Sequence, residues 1–214
     1  QKKFRRNKFK LIYCPPATLL SPLSDKLKST SIEVGAQNCH ESHNYGANTG
    51  QINSNMIKAV GAKYVILGHS ENRKLGENDS LINLKIKSSL KSGLKIIFCI
   101  GETLSQKRKK MTKKILSRQI NRGLKTIRNK KNILIAYEPV WAIGSGLIPK
   151  ETEILEIVQF IKKHVKGSKV LYGGSVNTKN INILKSINSV DGFLIGGASQ
   201  NSKNFIDIIK KTFN

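Results

Sequence analysis

Seven short apolar runs, each followed by a longer stretch of helical period, constrain this chain more than any other feature. The runs are Phe9–Cys14, Ile32–Gln37, Tyr64–Gly68, Leu94–Ile100, Asn132–Tyr137, Lys169–Tyr172 and Gly192–Ile195. They are apolar on successive residues rather than alternate ones, which is the pattern of strands buried on both faces in a parallel sheet covered by helices. The stretches between them are Pro22–Ser29, Asn53–Val60, Asp79–Ser92, Leu104–Arg128, Lys150–Lys166, Asn177–Ile187 and Ser202–Phe213, with apolar residues near i, i+3 and i+4. Repeated βα units leave two architectures, an open doubly wound sheet or a closed barrel.

The ends of the later runs favour the barrel. They carry Glu138-Pro139, Gly173-Gly174-Ser175 and Gly196-Gly197, spread over three consecutive strands rather than gathered at one first turn. A barrel assembles its site from all the βα loops in this way. No GxGxxG follows the first run, which disfavours a dinucleotide fold. The expected fold is one α/β barrel domain over residues 1–214, with seven of the eight strands visible. The basic segment Gln1–Lys8 reads as the end of a helix, so an N-terminal βα unit of roughly 30 residues is expected to precede Gln1.

The 38 Lys+Arg against 13 Asp+Glu give a net charge of +25, which raises nucleic acid as a partner. Lysine is spread along nearly every segment, however, and the densest run, Lys107–Lys110, has no interleaved aromatics. Without stacking platforms or a recognised module, nucleic-acid binding is not expected. No apolar window approaches the ~18 residues of a spanning helix, so no membrane association is expected. Cys14, Cys39 and Cys99 lie far apart with no CxxC pair. That spacing fits reduced, buried thiols in a cytoplasmic protein. His40 and His43 with Glu41 have HxxH spacing but not HExxH, and no third ligand is evident, so no metal is expected.

Two residues stand where barrels do chemistry. His69, in Gly68-His69-Ser70-Glu71, follows a strand where the chain turns helical. The positive end of a helix dipole disfavours imidazolium there, which suits a neutral electrophile. Glu138 ends another strand, and Tyr137, Val140, Trp141 and Ile143 are expected to desolvate it and raise its pKa toward that of a useful base. The glycine clusters Gly144-Ser145-Gly146, Gly173-Gly174-Ser175 and Gly196-Gly197 would present backbone N–H groups and the Ser175 hydroxyl to a phosphate.

Read together, Gly35-Ala36-Gln37-Asn38, Gly68-His69-Ser70-Glu71, Cys99-Ile100-Gly101-Glu102-Thr103, Ala136 to Gly146, Tyr172-Gly173-Gly174-Ser175-Val176 and Ile195-Gly196-Gly197-Ala198-Ser199 resemble triosephosphate isomerase, in order, from about Cys14 onward. The resemblance implies a TIM (β/α)8 barrel. It also implies interconversion of dihydroxyacetone phosphate and glyceraldehyde 3-phosphate without a cofactor, in glycolysis and gluconeogenesis. By likeness, Glu138 is the base, His69 polarises the carbonyl, and Glu71 is a further active-site carboxylate. Gly144, Ser175, Gly196 and Gly197 match phosphate-contacting positions, and Pro139–Gly146 resembles the lid. The loop 38–51 resembles the one that enters a neighbouring subunit, implying a homodimer.

Some positions depart from the family pattern. Ser145 stands where threonine is usual, Gln51 where glutamate is preferred, and Asn72 where arginine is preferred. The family's Asn-x-Lys strand has no counterpart in the 214 residues. Two expectations follow: these residues alone fold poorly and turn over little, and an upstream Asn-x-Lys strand restores the enzyme. The alternatives are a catalytically impaired phosphate-binding barrel and, less well matched, another phosphate-binding barrel enzyme.

Overall fold

Strand period decides which side chains reach the interior, and the computed structural model, which describes residues 9–213, follows that period closely. Seven strands form one sheet, every neighbouring pair parallel, in the order β1 (Ile12–Tyr13), β2 (Glu33–Ala36), β3 (Tyr64–Leu67), β4 (Lys95–Ile100), β5 (Ile133–Tyr137), β6 (Val170–Tyr172) and β7 (Gly192–Phe193). All seven expected strands are present. β7 stops at Phe193 rather than Ile195. The expected helical segment Gln1–Lys8 lies outside the described residues.

Side chains alternate between two cores. Val65, Leu67, Ile96, Phe98, Ile100, Ile133, Ile135 and Tyr137 face the helices in one apolar cluster. Tyr64, Ile66, Ile97, Cys99 and Ala136, with Ile12, Cys14, Leu134, Leu171 and Leu194 against them, fill the concave side. Consecutive apolar residues were needed because both faces of the sheet are covered. The strands β1 and β7 are only half-buried, and among the described residues no ladder joins them. The Phe9 ring, ahead of β1, stacks on Phe213 at 4.1 Å between centroids.

The helices are α1 (Leu20–Leu27), α2 (Ser54–Ala59), α3 (Ser70–Lys74), α4 (Asp79–Lys91), α5 (Leu104–Arg108), α6 (Thr112–Gly123), α7 (Glu151–His164), α8 (Ile181–Lys185) and α9 (Ser202–Phe213). Asn78 starts α4 by accepting from the N–H groups of Ser80 and Leu81, and Thr103 with Gln106 forms a capping box on α5. The single helix expected over Leu104–Arg128 is divided. Lys110 takes φ +56°, its N–H donates to the Lys107 carbonyl, and the chain restarts at Thr112. A left-handed stop is normally marked by Gly or Asn; here a lysine makes it, so no sequence signal was present. Over Asn177–Ile187 the helix shrinks to α8, because the Asn177 carboxamide accepts from the N–H groups of Lys179 and Asn180 and holds a turn.

Candidate active site

Parity delivers Glu138 to the concave side. Leu134 and Ala136 point inward along β5, and Glu138 is the next residue of that row, 2% exposed. His69 has the wrong parity for β3. It is turned inward at Gly68, whose φ of +75° is open to glycine. The outcome is a direct contact, His69 Nε2 to Glu138 Oε1 at 3.2 Å.

Hydrogen bonding assigns the imidazole tautomer. His69 caps α3, and its Nδ1 accepts from the Glu71 N–H at 3.4 Å, so the proton sits on Nε2, facing Glu138. Burial lowers the His69 pKa. The Glu71 carboxylate opposes this shift and Lys74 adds to it. Neutral imidazole was expected from the helix end, and burial acts in the same direction. Burial also pushes Glu138 up to about 8, against the Ser70 N–H, the Cys99 thiol and Arg73, which favour the ionised form.

Tyr137 and Trp141 do not surround Glu138 as expected. They meet at Glu102, a buried carboxylate that sequence reasoning left without a role: Trp141 Nε1 donates to Glu102 Oε1 at 2.9 Å, and the Tyr137 hydroxyl lies 3.3 Å from Oε2. Burial raises the Glu102 pKa despite these donors. Lys107 Nζ sits 3.9 Å from the Trp141 ring centre and 3.0 Å from Glu153. The start of the lid is thus anchored, while Gly144, Ser145 and Gly146 are exposed.

The phosphate candidates lie at successive strand ends. Ser175 is committed to the lid in this conformation: its hydroxyl accepts from the Gly146 N–H at 3.1 Å, and its own N–H donates to the Ala142 carbonyl at 3.1 Å. Gly144, Gly196 and Gly197 are exposed, with open space on the side a Cβ would take. Glu71 lies beside His69, its carboxylate 3.7 Å from Nδ1 but 78% exposed.

A family model described as triosephosphate isomerase matches residues 1–212. The chain belongs to the triosephosphate isomerase family. Curated members include the enzymes of Chlorobium luteolum, 41% identical over 92% of this chain and 82% of that one, and of Zygosaccharomyces bailii, 42% identical over 94% and 85%. The crystal structure of triosephosphate isomerase from Bartonella henselae superposes with a TM-score of 0.87 at 37% identity, covering 96% of this chain and 88% of that one. The curled seven-stranded parallel sheet is the α/β TIM-barrel fold of this isomerase family.

Arg73, which no motif singled out, supports the strand ends beside His69. Its Nε donates to the Gly68 carbonyl at 2.7 Å, Nη2 to the Cys99 carbonyl at 3.2 Å, and Nη1 to Asp79 at 2.7 Å. One guanidinium therefore braces the ends of β3 and β4, the strands that lead to His69 and Cys99. Asp79 is buried and Arg73 is partly exposed, with side-chain exposures of 9% and 18%. Arg73→Ala removes the nearer partner of buried Asp79 and is expected to cost about 2–3 kcal/mol, measured as a lower urea midpoint at unchanged slope. A change below about 1 kcal/mol would mean that Arg118, 3.7 Å from Asp79, takes over.

Proposed function

We propose that the chain interconverts dihydroxyacetone phosphate and D-glyceraldehyde 3-phosphate through an enediolate, with Glu138 as the base and His69 as the electrophile. A carboxylate base with a neutral imidazole is the mechanism known for this family. The observation that carries the assignment is the 3.2 Å meeting of a buried carboxylate with an imidazole whose Nδ1 already accepts a backbone hydrogen bond. In its ionised form Glu138 takes a proton from C1 of the ketose. The His69 Nε2–H donates to the C2 oxygen as negative charge develops there, the O1 hydroxyl proton passes to the C2 oxygen by way of His69, and Glu138 returns its proton to C2 as C1 becomes the carbonyl. Both protons move between protein and substrate, so the reaction needs no cofactor. Substrate must replace the His69–Glu138 contact, since atoms 3.2 Å apart leave no space between them.

Gly144, Gly196 and Gly197 would bind phosphate through main-chain N–H groups as Pro139–Gly146 closes, with Ser175 exchanging its lid bonds for the ligand. Glu71, exposed beside His69, tunes that ring's charge. The buried Tyr172 hydroxyl, which has no hydrogen-bond partner among the described residues, is a further group that lid or ligand movement would satisfy.

Dimerisation through loop 38–51 belongs to the same reading. The loop is held from within: Asn55 Nδ2 donates to the His43 carbonyl at 2.7 Å, and His43 Nδ1 meets the Ser92 hydroxyl at 3.2 Å. Tyr45 nevertheless remains 66% exposed, as suits insertion into a second subunit. A cytoplasmic, glycolytic setting accords with three free cysteines and with the absence, among the described residues, of any helix able to cross a membrane.

The test is a coupled assay of the purified protein, paired with His69→Ala. Loss of the Nε2–H donor is expected to lower kcat by about 10²–10³-fold. A variant with unchanged turnover removes His69 from the mechanism.

A further inference from the structure

We propose that the face opposite the active site carries a second anion site, built to take an oligophosphate chain. A cavity of about 530 Å³ opens there, within the ~300–1,000 Å³ usual for small-ligand sites. Its lining is Arg128, Lys130, Lys131, Lys163, His164 and Lys166, with Gly167. These residues belong to two segments. One is the connection from α6 to β5, and the other is the last turn of α7 with the connection to β6. Both segments lead into strand N-termini, whereas Glu138 and His69 follow strand C-termini.

Cations from two separate segments converge on one concavity here. Lys162, next to the lining on α7, is neutralised by Asp191. Among the described residues, no carboxylate pairs with Arg128, Lys130, Lys131, Lys163 or Lys166. Lys163 and His164 lie in the last turn of α7, where the negative end of the helix dipole accounts for a cation. That reason does not extend to Arg128, Lys130 and Lys131, which come from the other segment and face the same space. Five like charges around one concavity repel one another, and an anion bound there relieves all of them at once.

The ligand class follows from number and shape. Five cations exceed what one phosphate neutralises, so a chain of adjacent phosphates fits better. The lining holds no Phe, Tyr or Trp, so the cavity offers no aromatic platform on which nucleic-acid bases could stack. The walls are held in place. The Ile133 N–H donates to the Lys130 carbonyl at 2.9 Å, and His164 Nδ1 donates to the Phe160 carbonyl at 3.0 Å while Nε2 meets the Ser117 hydroxyl at 3.1 Å. Inorganic polyphosphate and the phosphate chain of a nucleoside triphosphate share this chemistry.

The experiment is calorimetric titration of the purified protein with tripolyphosphate and, separately, with ATP, at about 50 mM and about 200 mM salt. Lys130→Gln/Lys131→Gln and Lys163→Gln/Lys166→Gln each remove two charges from one wall. Lys58→Gln/Lys87→Gln removes the same charge elsewhere. Each wall pair is expected to weaken tripolyphosphate binding at least about tenfold and to steepen its loss with salt less than the parent, while the remote pair changes it less than about twofold. Isomerase turnover is expected to be unchanged in all three, which separates this site from the catalytic phosphate cradle. Equal affinity for ATP and tripolyphosphate marks the phosphate chain as the recognised group, and tighter ATP marks a nucleotide; both support the site. Equal weakening by the remote pair, no binding at the lower salt, or wall-pair effects seen only with a short single-stranded RNA would overturn it.

Discussion

Glu138→Gln is expected to lower kcat by about 10²–10⁴-fold, the usual contribution of a positioned base, with KM little changed because the amide keeps the volume of the side chain. The same substitution has a second readout. Burial raises the Glu138 pKa to about 8, so the folded protein holds a proton that the unfolded chain, near 4.5, has released. The neutral acid favours the fold at low pH. Between about pH 4.5 and 8 that advantage is lost, and above pH 8 a buried carboxylate costs on the order of 5 kcal/mol. Glu138→Gln should therefore melt like the parent near pH 4 and be more stable above pH 8. In the parent, kcat/KM should climb toward about pH 8 as Glu138 ionises. Urea melts at the two pH values and a kcat/KM profile check both limbs. A flat profile below pH 8 would show that Glu138 is already ionised there and that burial does not hold its proton.

Gly101→Ala should be the most damaging single-methyl change near the site. A Cβ at Gly101 would lie 1.7 Å from the Glu138 carbonyl oxygen and 2.6 Å from its carbonyl carbon. Both are backbone atoms, so no rotamer change relieves the clash. Gly101 cannot retreat easily either: Gln119 Oε1 accepts from its N–H at 2.9 Å, and Gln119 Nε2 donates to its carbonyl at 3.0 Å. The ends of β4 and β5 must part, displacing Glu138 from His69. The expected loss is about 3 kcal/mol or more in stability, at the upper end for overpacking, with kcat reduced about 10²-fold because the base is misplaced by near an ångström. Thermal melts and steady-state kinetics on the same preparation test this. A variant that melts normally yet is inactive would place the shift in the loop alone.

Much of the fold was legible because its signals are local. Each apolar run became a strand, and most helical stretches became helices within a few residues. Lys110 ends a helix in a left-handed conformation that its residue type does not announce, and Asn177 delays one through a side-chain turn that the apolar period of the segment masks. At the site, Glu138 and His69 stood out because strand ends facing a barrel mouth are where chemistry collects. Arg73, Glu102 and Gln119 did not, since each works through partners distant in sequence: Arg73 through Cys99, Glu102 through Trp141, Gln119 through Gly101.

By itself the amino-acid sequence determined the order of βα units, the inward row Leu134, Ala136, Glu138 and the turn at Gly68, because period and glycine act between neighbours along the chain. Only the tertiary structure decided that His69 and Glu138 touch, that burial adds to the lowering of the His69 pKa, that Tyr137 and Trp141 attend Glu102, and that two basic segments close around one cavity. Those outcomes depend on distance and desolvation, which exist only once β3, β4 and β5 lie side by side.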